Sequence, residues 1–259
     1  MQAAAAVCDQ DPGLAAPVDR ALVEITLGTT LTMQNRPGEG REHLRQGIAL
    51  VAAGATLPDT QVAPVCAELA VATGPATLAG DVDLLAELAQ AVRALAGGLP
   101  HTEVVVRHAE LVAAVAAAPR IELLSLVAAL YEDAREQDNL YTAWVAALGG
   151  ARVLLAVGRA GEAAGWSARA LVTAAELSMR ENPSVIVMYA RTLALTGEYE
   201  RAVRALAVAE SSLTCCGVPP GEFQTAACSA PCAGCACGRR LRSRWVGAGT
   251  ESALVRPRH

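Results

Sequence analysis

The chain has no lysine; all 21 of its basic residues are arginine. Aromatic residues make up only 3%, with a single phenylalanine, although 53% of the residues are apolar. A core must therefore be built from alanine, leucine and valine. Alanine and leucine lose little side-chain freedom in a helix, so this composition points to a helix bundle or helical solenoid. Isoleucine and asparagine are also scarce; with lysine and phenylalanine they share AT-rich codons, which points to a GC-rich bacterial genome. Long apolar runs are missing too. The longest, Leu111 to Ala118, falls far short of the roughly 20 residues that span a bilayer. Met1 to Gly13 has no basic segment ahead of its alanines, unlike a secretory leader. The expectation is a cytoplasmic protein with no membrane contact, in which the eight cysteines stay reduced and form no disulfide framework.

Positive charge is short as well. Net charge is −5, and it is uneven: residues 1–214 hold 15 Arg against 24 acids, while the stretch from Cys215 holds 6 Arg against 2 acids. An acidic body lacks the clustered cations that displace phosphate counterions, so direct nucleic-acid contact is not expected. Catalytic signatures are missing in turn. Gly-x-Ser-x-Gly is absent, as is a Gly-x-Gly-x-x-Gly following a strand. The acid pairs Glu132–Asp133 and Asp81/Asp83 sit near turns, where carboxylates cap helices or face solvent. A helical enzyme is the least favoured reading, and no cofactor is expected.

What the sequence does have is helical periodicity from about residue 14 to 213, broken by Gly, Pro, Asp and Asn. The predicted helices are Leu14–Gln34, Pro37–Ala53, Asp59–Thr73, Asp81–Leu95, Thr102–Ala118, Pro119–Gln137, one capped by Asp138 or Asn139 and running to Val157, Glu162–Met179, Pro183–Thr196 and Tyr199–Leu213. No stretch alternates with period two. Near the end, Ile186, Tyr189, Ala190 and Leu193 lead through Gly197-Glu198-Tyr199 to Ala202, Leu206 and Ala209. Ala147, Ala151 and Leu154 lead in the same register through Gly158-Arg159 to Ala163, Ser167 and Ala170. Gly158 and Gly197 are 39 residues apart, against roughly 34 in the standard tetratricopeptide repeat. Leu27, Gly28 and Leu31, followed by Gly40, Leu44 and Gly47, give a poorer third match, and residues 58–137 show the period without the signature. Small residues at crossing points let backbones approach closely, which is the physical content of the pattern. The expected fold is all-α: a tetratricopeptide-like right-handed superhelix of about five antiparallel helix pairs over residues 14–213, a weak or disordered start at 1–13, and an irregular tail at 214–259.

The segments Leu154-Leu155-Ala156-Val157-Gly158-Arg159-Ala160-Gly161-Glu162-Ala163, Leu130-Tyr131-Glu132-Asp133-Ala134 and Asn139-Leu140-Tyr141-Thr142-Ala143 resemble the helical array of large ATP-binding LuxR-type transcriptional regulators of actinobacteria. That family places a phosphate-binding loop before the array and a helix-turn-helix domain after it. A Gly-x4-Gly-Lys-Ser/Thr loop is impossible without lysine, and the tail has no basic recognition helix. The resemblance therefore implies the interaction array of a regulatory protein without its ATPase and DNA-binding domains. The functional expectation is a protein- or peptide-binding scaffold; the alternative is one part of such a regulator.

Three sets of residues are candidate sites. Arg152 and Arg191 share a position in the last two repeats, on first helices that would line a concave groove; together they could grip a carboxylate-bearing peptide or another anion. Solvation, or pairing with Glu176 or Glu198, is the plainer alternative. Cys228, Cys232, Cys235 and Cys237 include one Cys-x2-Cys spacing suited to zinc. A GC-rich gene read out of frame yields the same Arg-, Ala-, Gly-, Pro- and Cys-rich composition, and incidental cysteines are a third explanation. His101 and His108 are seven apart on one predicted helix, about 10 Å along its axis, too far to share one metal ion. Both are expected at the surface, as is His43, with Cys66 in the core.

Overall fold

The structure, a computed structural model, describes residues 17–34, 36–53, 57–179 and 182–215. The chain is all-α over these residues, with no strand among them. Ten α-helices are described: α1 (Pro17–Met33), α2 (Pro37–Ala53), α3 (Asp59–Leu78), α4 (Val82–Ala96), α5 (Glu103–Ala117), α6 (Leu123–Glu136), α7 (Leu140–Ala156), α8 (Ala160–Glu176), α9 (Pro183–Leu195) and α10 (Tyr199–Cys215), with a 3-10 turn at Pro100–Thr102 before α5. None is long and apolar enough to cross a membrane.

One closing motif recurs at the helix ends. Gly80, Gly158 and Gly197 take left-handed φ values of 70°, 77° and 84°, which glycine adopts without a Cβ penalty. The next amide in each case donates to a carbonyl five residues back: Asp81 to Ala76 (3.0 Å), Arg159 to Leu154 (2.8 Å) and Glu198 to Leu193 (2.8 Å). These bonds satisfy carbonyls that the helix end leaves without a partner. Asp138 and Ser178 hold the same left-handed conformation without glycine, and Asn139 and Met179 donate to Ala134 and Ala174. The following starts are capped where the sequence allows it. Asp81 accepts from the Leu84 amide and Asn139 from the Thr142 amide, both at 3.1 Å.

Two boundaries differ most from expectation. α3 does not stop at Thr73 but runs through Gly74-Pro75 to Leu78. A proline normally pushes the preceding residue out of helical conformation by contact with its Cβ, and Gly74 has none. Nor does Pro119 begin a helix. Ala118 before it is extended (φ −158°, ψ 97°), and α6 starts only at Leu123.

Extensive helix contacts join neighbours in chain order. Successive helices pack together from α3 to α10 and between α1 and α2, while α1, α3, α5 and α7 also touch in sequence, as do α2 and α4. The step from α2 to α3 is the exception. One core cluster, around Ile25, Leu44, Leu69, Leu85 and Leu88, spans α1 to α5. A second, around Val127, Leu130, Leu154 and Trp166, spans α5 to α9. α5 serves both: Val106 and Ala109 face the first, Val104, Leu111 and Val115 the second.

Close approach depends on missing side chains. A Cβ on Gly28 would lie 2.7 Å from the Gly40 carbonyl oxygen and 2.8 Å from the Leu44 nitrogen, and one on Gly150 would lie 2.7 Å from the Trp166 ring. Gly165, on the exposed side of α8, has nothing within 4 Å. Gly28→Ala is therefore expected to destabilise by about 1–3 kcal/mol, because backbone must move. Gly165→Ala should stabilise by roughly 0.5–1 kcal/mol through helix propensity alone. Urea unfolding of the two variants checks the sign of each.

Candidate functional site

The odd-numbered helices α5, α7 and α9 together form a cleft of about 340 Å³. Val115, Leu155, Val187 and Met188 supply its apolar wall, and Arg152 and Arg191 its two cations. Each arginine lies six residues before a turn glycine, Gly158 or Gly197, so the shared position carries both to the same place on successive hairpins. Their flanking residues Ala151, Val153, Ala190 and Thr192 are buried, while the arginines are exposed.

Most other arginines of the body are occupied. Arg41 bonds Asp81 and Arg45 bonds Glu87, tying α2 to α4. Arg93 reaches Glu110 and Arg107 reaches Asp133 across successive helices, and Arg135 reaches Glu176 from α6 to α8. Arg201 holds Glu198, and Arg169 lies 4.5 Å above the Trp166 ring. Glu176 and Glu198, the plainer partners for the cleft arginines, are thus engaged elsewhere. Among the described residues, neither Arg152 nor Arg191 has an ion pair. Surrounding protein desolvates the Arg152 guanidinium and lowers its pKa from the ordinary value. A cation with reduced hydration and no counter-charge gains from an anion that can accept two parallel N–H bonds. Arg120, next to the lining residue Pro119, is exposed and likewise without an ion pair among the described residues; its register gives no hint of this position.

A larger cavity of about 720 Å³ lies between the ends of α2 and α4 and the start of α3, where α2 and α3 lack extensive contact. Ile48, Val51, Val62 and Leu95 make it apolar, and its Glu87 is already bound by Arg45.

His108 is not at the surface; it is 1% exposed. It sits where the two core clusters meet along α5, linking α3 to α7. Nε2 lies 3.4 Å from Thr73 Oγ1 and Nδ1 lies 3.0 Å from Thr142 Oγ1. The Thr73 hydroxyl donates its proton to the Ala70 carbonyl at 2.6 Å, so towards the ring it can only accept. That assigns the proton to Nε2 and leaves Nδ1 to accept from Thr142. Tyr141 stacks on the ring at 5.6 Å, and burial pushes its hydroxyl up to about 12. His101 is exposed in the 3-10 turn and His43 bonds Glu24 at 2.6 Å. Cys66 is buried in the first core cluster, where burial raises its thiol to about 11. No cluster of three or more metal-ligating groups occurs among the described residues; Cys228, Cys232, Cys235 and Cys237 lie outside them.

Burial lowers the His108 pKa to about 4, while the unfolded chain titrates near 6.5. Between those values the unfolded state binds a proton that the folded state refuses, so the stabilisation is complete above about pH 6.5 and is lost as pH falls towards about 4. The loss amounts to about 3 kcal/mol. Comparing urea unfolding from neutral pH to about pH 4 in the wild type and in His108→Gln isolates it. The variant should have a shallower pH dependence across that window, and parallel curves would contradict the assignment.

Comparison with family models, curated proteins and solved structures returned no match to this chain.

Proposed function

We propose that the chain is a binding scaffold: a tetratricopeptide-like right-handed superhelix of about five helix pairs that receives an acidic protein segment or peptide on its concave face. The observation that carries this reading is the cleft shared by α5, α7 and α9, with two arginines in one register and no carboxylate of their own. Turn spacing supports the repeat. Gly80, Pro119, Gly158 and Gly197 stand between α3/α4, α5/α6, α7/α8 and α9/α10, each 39 residues after the one before. The order of helix contacts fits hairpins nested one on the next. In this reading the first helices are odd-numbered and line the groove. The protein acts by binding rather than catalysis, in the cytoplasm, and the likeness of residues 154–163 to LuxR-type regulators favours a scaffold that serves a regulatory protein.

The test uses fluorescein-labelled peptides in which one Glu is flanked by Leu and Val, with Gln-containing peptides as controls. Arg152→Ala and Arg191→Ala should each weaken binding of the Glu peptide by roughly 10-fold or more, the effect of losing a charged hydrogen bond, and leave the weak Gln binding unchanged. Equal affinity for Glu and Gln peptides would exclude the cleft as an anion site.

A further inference from the structure

The cleft of α5, α7 and α9 holds more positive charge than one carboxylate can balance. Among the described residues that line it, Arg152 and Arg191 carry the charge and the rest hold no titratable group. Neither arginine has an ion pair among the described residues. A monoanion set between them would leave one cation over, in surroundings that already take water from Arg152. A charge removed from water without a partner is costly.

The charge is also confined to this cleft. α3 carries no basic residue, and the one arginine of α5, Arg107, is held by Asp133. In the register proposed above, Gly74 and Ala113 stand on α3 and α5 where α7 and α9 carry Arg152 and Arg191. A run of acids laid along the groove would find no free cation on α3 or α5 to continue from the cleft. Adjacent acids on an extended chain point to opposite sides, so they do not enter one cleft together. The matching ligand places two negative charges on a single group.

We propose that this group is a phosphorylated serine or threonine of the segment the scaffold receives, an assignment that rests on the binding reading above. A phosphomonoester carries about −1.5 to −2 charges near pH 7 and three strong acceptor oxygens. Each guanidinium offers it two parallel N–H donors. α7 and α9 touch, so side chains as long as arginine can converge on one phosphoryl group. Val115, Leu155, Val187 and Met188 then hold an aliphatic neighbour of the phosphorylated residue. At about 340 Å³ the cleft is at the small end of ligand sites, which suits one such side chain and its neighbour.

Fluorescence polarisation of the full chain with fluorescein-labelled peptides tests this. One Leu- and Val-flanked sequence carries phosphoserine, glutamate, glutamine, or two glutamates one residue apart. Phosphoserine should bind about 10-fold or more tightly than either glutamate peptide near pH 7.5, the effect of a further charged hydrogen bond. That advantage should shrink as pH falls to about 5.5, because the phosphate loses its second charge near pH 6. Glutamate, with a pKa of about 4.3, keeps its charge over the same range. Arg152→Met and Arg191→Met retain the aliphatic stems; each should cost phosphoserine binding about 10-fold, with helical circular dichroism unchanged. The pH series uses the wild type and needs no variant to fold. Inorganic phosphate, which lacks the aliphatic neighbour, should displace the phosphopeptide only at about 10-fold higher concentration or more.

Equal affinity for phosphoserine and either glutamate peptide, with all of it lost in the arginine variants, would overturn the phosphate and leave the acidic-segment reading standing. An advantage that ignores pH would overturn it too. Inorganic phosphate competing as well as the phosphopeptide itself would overturn the peptide as the carrier. Binding that none of the arginine variants weakens would sink both the phosphate and the reading beneath it.

Discussion

The structure depends on helix backbones coming close enough to exclude a Cβ. At the crossing of α1 and α2, Gly28 and Gly40 face each other with their carbonyl oxygens where side chains would be. Further along, Gly150 makes the floor on which the Trp166 ring lies, and alanines such as Ala146, Ala147, Ala163 and Ala170 fill the same role with one methyl. With few aromatic residues to fill wide gaps, these helices must approach closely or leave voids, and voids in a core lose contacts outright. Close approach in turn fixes the order of packing. Successive helices pack extensively everywhere except at the step from α2 to α3, and the core divides into two clusters that share α5.

That sharing explains the one strongly perturbed histidine in the interior. α5 shows an apolar face to each cluster, and His108 falls on the seam between them. A neutral imidazole with one donor and one acceptor satisfies a threonine on each side. An aliphatic residue there would leave the Thr142 hydroxyl without its acceptor, at the cost of burying a polar group unpaired, while Thr73 would keep its bond to the Ala70 carbonyl. The histidine thus joins α3, α5 and α7 by hydrogen bonds where the rest of the contact is apolar.

Much of the helical layout is legible in the sequence, and the parts that are not have physical reasons. α2 runs from Pro37 to Ala53 as read, because proline starts a helix without losing a needed amide. Asn139 caps α7 and Gly158 and Gly197 close their turns, since few residues can do either. In the repeat proposed above, the middle hides its period because Pro119, in an extended link, stands in the slot that Gly80, Gly158 and Gly197 fill with left-handed backbone. The reach of α3 past Pro75 depends on a glycine acting by absence, which propensity reads as a break. Burial of His108 leaves no local trace, because its two threonines come from helices about 35 residues away on either side. The shared position of Arg152 and Arg191 is visible from spacing alone. That they lack partners is not, since it follows from Arg135 and Arg201 taking the nearby acids.

Register is what turns two ordinary surface arginines into a candidate site. Displaced by one residue, each would rotate about 100° around its helix and leave the cleft. The central proposal is therefore that Arg152 and Arg191, which line one cleft, act together on one anion. Nitrogen-15 NMR of the arginine side chains during titration with a glutamate-containing peptide tests this most directly. The Nε signals of Arg152 and Arg191 should move together along one binding curve while those of Arg135 and Arg201 stay still. Separate curves for the two, or equal movement of the ion-paired arginines, would contradict the account.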